Sequence, residues 1–401
     1  MDSKKELPQG WDLKRMPEVV KWSSGGTPKA TEKLYYENGT IPWLIIGDLN
    51  DGIVNASATK ITKFGLDNSS AKLVPKGTLL IAMYGSIGKL GITGFECCTN
   101  QAIAFAKELY DVDTKYLFFY LMMIKPKLVQ KGKGGTQKNI SLTVLNSLSI
   151  PLPPLPIQHQ IVSRIESLFA ELDKAEERLR TAQQQLKTYR QAVLNHWFTN
   201  GSEKWQQTTI GNIVEKVEYG SSAKSEKEGK IPVLRMGNIQ KGRFDWSDLV
   251  YSNNDEEISK YLLNKDDVLF NRTNSPELVG KTAIYKGERP AIFAGYLIRL
   301  HYKKDLVNAD FLNYFLNSDI ARNYGNTVKS DGVNQSNING QKLKTYPIAL
   351  PPLSDQHRIV QEIESRLSQA EAAEAHIAES LQKTEALRQS ILKKAFSGEL
   401  V

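Results

Sequence analysis

The chain has 401 residues, of which 40% are hydrophobic and 24% are charged; this composition excludes a disordered or fibrous protein and predicts buried cores. Its longest apolar run, Leu117 to Ile124, is far shorter than the roughly 20 residues that span a bilayer, so the predicted location is the cytoplasm. The two cysteines, Cys97 and Cys98, are adjacent, which excludes a disulfide framework and does not fit the spacing of a zinc site. The net charge of +8 favours a polyanionic partner.

A duplicated segment is the main internal feature of the chain. Residues 150–201 recur without a gap at residues 348–399. Both copies contain a Pro-Pro pair between leucines, then a Gln-His pair and an Ile-Glu-Ser triplet. Two copies are too few for a solenoid, which usually needs three or more units. The repeat therefore predicts a pseudo-twofold molecule.

The first half of the chain, residues 1–155, is predicted to form a globular domain with a β-rich core. Short β-rich runs such as Thr78 to Tyr84 are punctuated by Gly, Asn and Ser, and a helix capped by Asp113 follows. This half has a net charge of +6, and no acidic residue lies between Asp113 and Glu166. A polyanion would be attracted to that field; a merely solvated surface is the alternative.

Residues 156–201 are predicted to form a long helix that begins after the Pro-Pro pair. Apolar side chains repeat here with the heptad spacing of a coiled coil. At 1.5 Å per residue the helix is about 60 Å long and needs a partner along its length. The second copy, residues 354–401, is the natural partner if it runs antiparallel. The predicted helix–helix or partner contacts are Ile161, Ile165, Leu168, Leu172, Leu179, Leu186, Tyr189, Ile359, Ile363, Ile377, Leu387 and Ile391.

The second half, residues 202–353, repeats the order of parts of the first half. Gly237-Asn238-Ile239 parallels Gly47-Asp48-Leu49, and a second capped helix begins at Asn308. A Gly-rich loop closes each half, with Asn139 and Ile140 aligned to Asn337 and Ile338. The predicted fold class is therefore mixed α/β, with two globular domains separated by two long antiparallel coiled-coil helices.

Motifs of catalysis are not found in the sequence. Lys281 and Thr282 follow a glycine as in a phosphate-binding loop, but Ser275 stands where that loop needs its first glycine. Glu228-Gly229-Lys230 matches only the tail of a metal-nuclease motif. The repeated His159 and His357 each lack a nearby second ligand, which favours a structural role. The chain is therefore predicted to bind and position partners, with the chemistry carried out by another chain. It is predicted to have no catalytic residues and no metal site of its own.

Several short motifs occur in a characteristic order: Pro8-Gln9-Gly10-Trp11, Gly25-Gly26-Thr27-Pro28, Ile41-Pro42-Trp43, Gly47-Asp48-Leu49, Asn100-Gln101 and Leu152-Pro153-Pro154-Leu155. With the duplication, they resemble the DNA specificity subunit of type I restriction–modification systems. The match covers essentially the whole chain. In the second half, Gly295-Tyr296 stands where Asn-Gln is expected, and Gly-Thr-Pro is missing.

The resemblance implies a non-catalytic subunit with two target-recognition domains, each recognising one part of a split double-stranded DNA site. It also implies two adenine methyltransferase subunits and ATP-driven restriction subunits as partners. S-adenosylmethionine, ATP and magnesium would then be bound by those partners, and no cofactor by this chain. Half-sites on one face of DNA lie about 34 Å apart, so a rigid helical spacer suits two such domains.

The loops of each half supply the candidate DNA contacts, with lysines and arginines on phosphates and amides on bases. These candidates are Lys89, Lys131, Lys133, Gln137, Lys138 and Asn139 in the first half, and Arg243, Arg272, Lys329, Asn334, Gln335 and Asn337 in the second. A coiled-coil adaptor that binds only proteins is the main alternative. A self-contained restriction enzyme is a third, but it requires catalytic residues that the sequence lacks.

Overall fold

The computed structural model describes residues 7–132, 139–199 and 204–401. Three predicted DNA contacts, Lys133, Gln137 and Lys138, lie outside the described residues. The chain divides into unit 1, residues 1–179 with 379–401, and unit 2, residues 180–378. This division differs from the four consecutive segments predicted above, because each unit contains one β-rich domain together with one part of each long helix.

Unit 1 is a mixed α/β unit. Its strands are β1 (Asp12–Arg15), β2 (Val20–Ser24), β3 (Ile41–Leu44), β4 (Gly52–Val54), β5 (Thr59–Ile61), β6 (Leu73–Val74), β7 (Leu79–Ala82), β8 (Leu90–Thr93), β9 (Cys97–Thr99), β10 (Ile103–Leu109) and β11 (Ser149–Leu152). Its helices are α1 (Met16–Val19), α2 (Lys63–Asp67), α3 (Thr114–Lys131), α4 (Leu142–Asn146) and the first part of α5 (Leu155–Thr199).

A five-stranded sheet of order β2-β10-β7-β8-β4 forms the centre of unit 1. All four residues of β7 are buried, as expected for a strand covered on both faces. Helix α3 packs on this core, and the side chain of Asp113 caps it by accepting hydrogen bonds from the backbone N–H groups of Lys115 and Tyr116. The predicted cap at Asp113 is therefore confirmed.

Unit 2 has the same architecture. Its strands are β12 (Gln206–Thr209), β13 (Val214–Tyr219), β14 (Ile231–Leu234), β15 (Ile239–Gln240), β16 (Arg243–Phe244), β17 (Val250–Ser252), β18 (Val268–Asn271), β19 (Thr273–Asn274), β20 (Thr282–Ile284), β21 (Ile292–Phe293), β22 (Leu297–Tyr302), β23 (Ser330–Asp331), β24 (Ser336–Asn337) and β25 (Pro347–Leu350). Its helices are α6 (Ile210–Ile213), α7 (Asp255–Tyr261), α8 (Ala309–Leu316), α9 (Asp319–Val328), α10 (Gly340–Lys344) and part of α11 (Leu353–Phe396).

The main sheet of unit 2 has the order β13-β22-β18-β20, which repeats the order β2-β10-β7-β8 of unit 1. Helix α8 takes the place of α3, and Asn308 caps it through a hydrogen bond from the backbone N–H of Phe311. The halves of the chain therefore share one scaffold, as their faint sequence parallels predict.

The two long helices run antiparallel. In unit 1, α5 begins beside the β-domain, and α11 ends there with the Phe396 ring 4.9 Å from that of Tyr116. Ion pairs join the helices: Arg388 contacts Asp173 and Glu176 in unit 1, and Arg190 contacts Glu371 and Glu374 in unit 2. Each cluster repeats the other at the offset of the duplicated segments. Within the described part of the chain, no helix has the length and apolar character needed to cross a membrane.

The predicted apolar seam is largely buried, with one shift. Ile161, Ile165, Ile359, Ile363 and Ile377 are buried, and Leu168, Leu172, Leu179, Leu186 and Ile391 are half-buried. Tyr189 and Leu387, which are equivalent in the repeat, are instead 40% and 51% exposed. The neighbouring Arg190 and Arg388 face the opposite helix, because the alkyl stem of an arginine packs while its head pairs with acids. The predicted helix contact is therefore displaced by one residue here, and contact of Tyr189 or Leu387 with another subunit stays a prediction.

Candidate DNA interface

Equivalent loops lie together at one edge of the main sheet in each unit. In unit 1, the backbone N–H of Ile140 donates to the Met83 carbonyl at 2.9 Å, and Asn139 pairs with Tyr84. In unit 2, the N–H of Ile338 donates to the Arg272 carbonyl at 2.8 Å, and Asn337 pairs with Thr273. We call these surfaces the loop edges: residues 83–89 with 131–132 and 139–140 in unit 1, and 272–281 with 329–338 in unit 2. The predicted alignment of the closing loops is confirmed by this pairing.

A second correspondence corrects the alignment of the Asn-Gln motif. The backbone N–H of Asn100 donates to the Leu44 carbonyl, and that of Ala294 donates to the Leu234 carbonyl. Asn100-Gln101 is therefore equivalent to Ala294-Gly295, one residue earlier than the predicted Gly295-Tyr296.

The first glycine of the Gly-Gly-Thr-Pro motif is required by close backbone packing. A Cβ on Gly25 would lie 2.0 Å from the carbonyl oxygen of Thr99, and a Cβ on Gly220 would lie 2.3 Å from that of Phe293. Any side chain there would force the two strands apart. These glycines, which directly follow β2 in unit 1 and β13 in unit 2, let the chain pass close to the backbone of the facing residues.

The described part of the unit 1 loop edge carries several exposed polar side chains. Lys131 is the last residue of α3 and is exposed, as are Asn139 and Tyr84. Lys89 lies in the turn between β7 and β8, where its ammonium group is 3.4 Å from the Ile46 carbonyl oxygen. Of the predicted contacts, Asn139 pairs through Tyr84 with the segment that carries Lys89. A direct DNA contact for Lys89, Lys131 or Asn139 stays a prediction.

In unit 2, the tip of the loop edge is a tight turn. The backbone N–H of Gly332 donates to the Gln335 carbonyl at 2.7 Å. The turn presents Val333, which is fully exposed, with the exposed Asn334 and Gln335. This is the position at which side-chain amides can reach base edges.

Two other predicted contacts of unit 2 hold the loop together instead. The Lys329 side chain is only 14% exposed, and its ammonium group lies 3.6 Å from the Asp331 carboxylate and 3.4 Å from the Pro276 carbonyl oxygen. The Asn337 amide donates to the Thr273 hydroxyl at 2.7 Å. These contacts bind the strands of the loop edge to each other, so a direct role on DNA for either residue stays a prediction.

Arg243 lies away from the loop edge. It sits on the β15–β16 hairpin, where its guanidinium is 3.8 Å from Glu371 of α11 and the neighbouring Lys241 is 2.5 Å from Glu374. The acidic face of α11 attracts both cations. The Arg243 side chain is nevertheless 69% exposed, and its predicted contact with DNA stays a prediction.

Two like charges, Lys281 and Arg322, interact at the end of the unit 2 loop edge. Burial, with the like charge of Arg322 nearby, lowers the pKa of the Lys281 ammonium group below its ordinary value. Lys281 directly follows the loop that ends at Gly280, and Arg322 lies on α9 next to it. An approaching anion would relieve this repulsion. This pair was not predicted from the sequence, where Lys281 was compared only with a phosphate-binding motif.

The repeated histidines make contacts at the starts of helices. Within the described ranges, no group of three or more His, Cys, Asp or Glu side chains is arranged to hold a metal ion. Nδ1 of His357 lies 2.6 Å from the Leu353 carbonyl oxygen, one turn earlier in the same helix. His159 lies 3.8 Å from Asp113. Both contacts are local to the helix starts.

A second surface of unit 1 is an apolar groove of about 900 Å3. It lies between α3, β4 and the helix pair, and it includes Ile53 and Val129, which are 52% and 41% exposed. In unit 2, the β15–β16 hairpin stands at the position equivalent to β4. It carries Lys241 and Arg243, whose ion pairs with α11 are described above. This face therefore carries an apolar groove in unit 1 and ion-paired cations in unit 2.

The family model described as type I restriction modification DNA specificity domain matches residues 8–181 and 202–383. The chain belongs to this family. Each matched range contains one loop edge and one long helical segment, so the duplicated family domain coincides with the duplicated scaffold. The specificity-domain family thus accounts for the repeat, for both β-domains and for the helices.

Relatives of similar length support this assignment. The EcoKI specificity subunit of Escherichia coli K12 is 26% identical over 421 residues, covering 98% of this chain and 90% of that protein. The StySPI specificity subunit of Salmonella potsdam is also 26% identical, with the same coverage. Among solved structures, a chain from a type I restriction–modification complex has a TM-score of 0.79 at 19% identity, over 98% of this chain and 99% of that one. The HsdS subunit of Thermoanaerobacter tengcongensis has a TM-score of 0.60 at 20% identity over 99% of both chains.

Proposed function

We propose that this chain recognises a bipartite double-stranded DNA site as the non-catalytic specificity subunit of a type I restriction–modification complex. It directs two adenine methyltransferase subunits and ATP-dependent restriction subunits to that site in the cytoplasm. S-adenosylmethionine, ATP and magnesium are bound by those partners. The relatives named above are specificity subunits, and the family domain is present twice.

The observation that carries this proposal is the repeated loop edge. Two units with the same strand order expose equivalent loops whose backbones pair in the same way, while the side chains on those loops differ. A common scaffold with different contact residues suits two different half-sites. Exposed lysines and amides supply the phosphate and base contacts that such recognition needs.

The partner subunits require protein surfaces distinct from the loop edges. The groove in unit 1 exposes apolar side chains that a monomer would ordinarily bury. A methyltransferase subunit that covers Ile53 and Val129 would remove this surface from water. The groove therefore supports docking of a partner on the helical side of unit 1.

Selection from a randomised duplex library tests DNA recognition. The chain, purified with its methyltransferase partner, is expected to enrich two short conserved blocks separated by a gap of fixed length and free sequence. The adaptor alternative predicts that the complex assembles but enriches no sequence. That result at moderate salt would overturn the proposed function.

A further inference from the structure

The Arg272 side chain is fixed in place at the loop edge of unit 2. Its guanidinium lies over the Tyr219 ring, 4.8 Å from the ring centroid. Its Nε donates to the Gly295 carbonyl oxygen at 2.9 Å. Stacking on one face and a hydrogen bond at one edge restrict the side chain to a single orientation before any ligand binds.

The backbone of Arg272 is fixed as well. Its N–H donates to the Tyr296 carbonyl at 3.0 Å, and its carbonyl accepts from Ile338 at 2.8 Å. Arg272 thus directly follows β18 and joins the two segments of the loop edge through its hydrogen bond with Ile338. The exposed Tyr296 borders the same site.

The terminal Nη groups of Arg272 remain available. Among the described residues, they have neither a hydrogen-bond partner nor an ion pair, in contrast to Arg299, whose guanidinium is shared between Glu218 and Asp267. A guanidinium held in this way presents two parallel donors. Guanine, with its O6 and N7 acceptors in the major groove, is the base that such a fork matches.

We propose that Arg272 is a specificity-determining residue that recognises a guanine in the half-site bound by unit 2. The proposal rests on the proposed function. Unit 1 has Met83 at the equivalent position, and its side chain is 5% exposed and carries no donor. The guanine contact is therefore confined to one half of the bipartite site.

The test is library selection with the assembled complex carrying Arg272→Met, the residue of unit 1. Preference for one G·C pair in one half-site is expected to fall by about tenfold or more, while the other half-site is unchanged. Arg272→Lys keeps the charge but not the fork, so it is expected to lose the same preference while retaining overall DNA affinity.

Arg289→Met is the matched control, because Arg289 also stacks on an aromatic ring, that of Trp246 at 4.7 Å, but lies outside the loop edge. This substitution is expected to leave the base preference at both half-sites unchanged. Circular dichroism melting identifies a variant that fails to fold; Arg272→Lys then provides the decisive comparison. An unchanged half-site preference in folded Arg272 variants, or equal loss in both half-sites, would overturn the inference. No enriched site with the unmodified complex would instead overturn the proposed function itself.

Discussion

The buried carboxamide of Gln158 accepts a hydrogen bond from the backbone N–H of Asp113 at 2.8 Å. Its amide group donates to the carbonyl oxygens of Asp111 and Pro153. The first turn of α5 is thereby tied to the cap of α3. Gln356 makes the same three bonds to Asn308, Leu306 and Pro351 in unit 2. The repeated glutamine therefore fixes each β-domain to its long helix.

Replacing this glutamine should destabilise the unit that contains it. Gln158→Ala leaves the N–H of Asp113 and the carbonyl groups of Asp111 and Pro153 without this partner. We expect the free energy of unfolding to fall by about 2 to 4 kcal/mol, as measured by urea denaturation. Gln160→Ala, an exposed glutamine two residues away, should change it by less than about 0.5 kcal/mol. Equal effects of the two substitutions would show that the buried bonds do not matter.

Glu218 should make the stability of unit 2 depend on pH. Burial raises the pKa of Glu218, but hydrogen bonds from His301 and Arg299 outweigh burial, and the pKa is lowered. A carboxyl group whose pKa is lower in the folded state than in the unfolded state stabilises the fold at pH values above its unfolded-state pKa. That contribution is lost as the pH falls through the folded-state pKa.

Glu218→Gln tests this dependence. The substitution should lower the free energy of unfolding by about 1 to 3 kcal/mol near pH 7, and the difference from the unmodified protein should shrink below about pH 4. Urea unfolding at both pH values measures it. Glu215→Gln, at an exposed position of the same strand, serves as the control. A difference that stays constant between the two pH values would exclude the carboxylate as its source.

Lys131 should contribute to DNA affinity without affecting sequence preference. If it contacts one phosphate, Lys131→Ala should weaken binding to all duplexes and reduce the slope of log affinity against log salt by about 0.9. Adding Lys133→Ala should reduce the slope further. Lys14→Ala is the control, because Lys14 lies on β1, which pairs with the strand that leads into α5. Unchanged affinity and slope would remove Lys131 from the interface.

The groove of unit 1 should be needed for methyltransferase binding. Ile53→Asp and Val129→Asp each place a charge on its apolar surface. We expect the affinity for the methyltransferase subunit to fall by about 2 kcal/mol, roughly 30-fold, as measured by titration calorimetry. Leu34→Asp alters a leucine that is 64% exposed and lies outside the groove, and it should have no effect. Full affinity in both groove variants would place the docking surface elsewhere.

Local sequence signals predicted much of this fold. The caps at Asp113 and Asn308, the helix starts after the Pro-Pro pairs and the antiparallel helices all follow from short patterns or from the repeat. The role of Gln158 was missed, although one signal was available. A polar residue repeated at the buried start of both helices indicates a structural hydrogen bond.

Contacts between residues distant in sequence explain the remaining differences. Arg243 is a candidate phosphate contact by composition, but Glu371 of α11 lies close to it in the fold. Arg190 and Arg388 replace apolar residues at the helix contact because their acidic partners stand on the opposite helix. The hydrophobic periodicity of the sequence carries no information about these charge partners. The predicted helix contact therefore fell on Tyr189 and Leu387, one residue before Arg190 and Arg388.

We propose that the duplicated loop edges recognise two separate half-sites. Single-molecule sequencing of methylated genomic DNA, from cells with and without this gene, tests it most directly. We predict adenine methylation at one bipartite motif, two short blocks with a gap of fixed length, that disappears when the gene is deleted. An unchanged methylation pattern, or a gene-dependent motif without a gap, would contradict the claim.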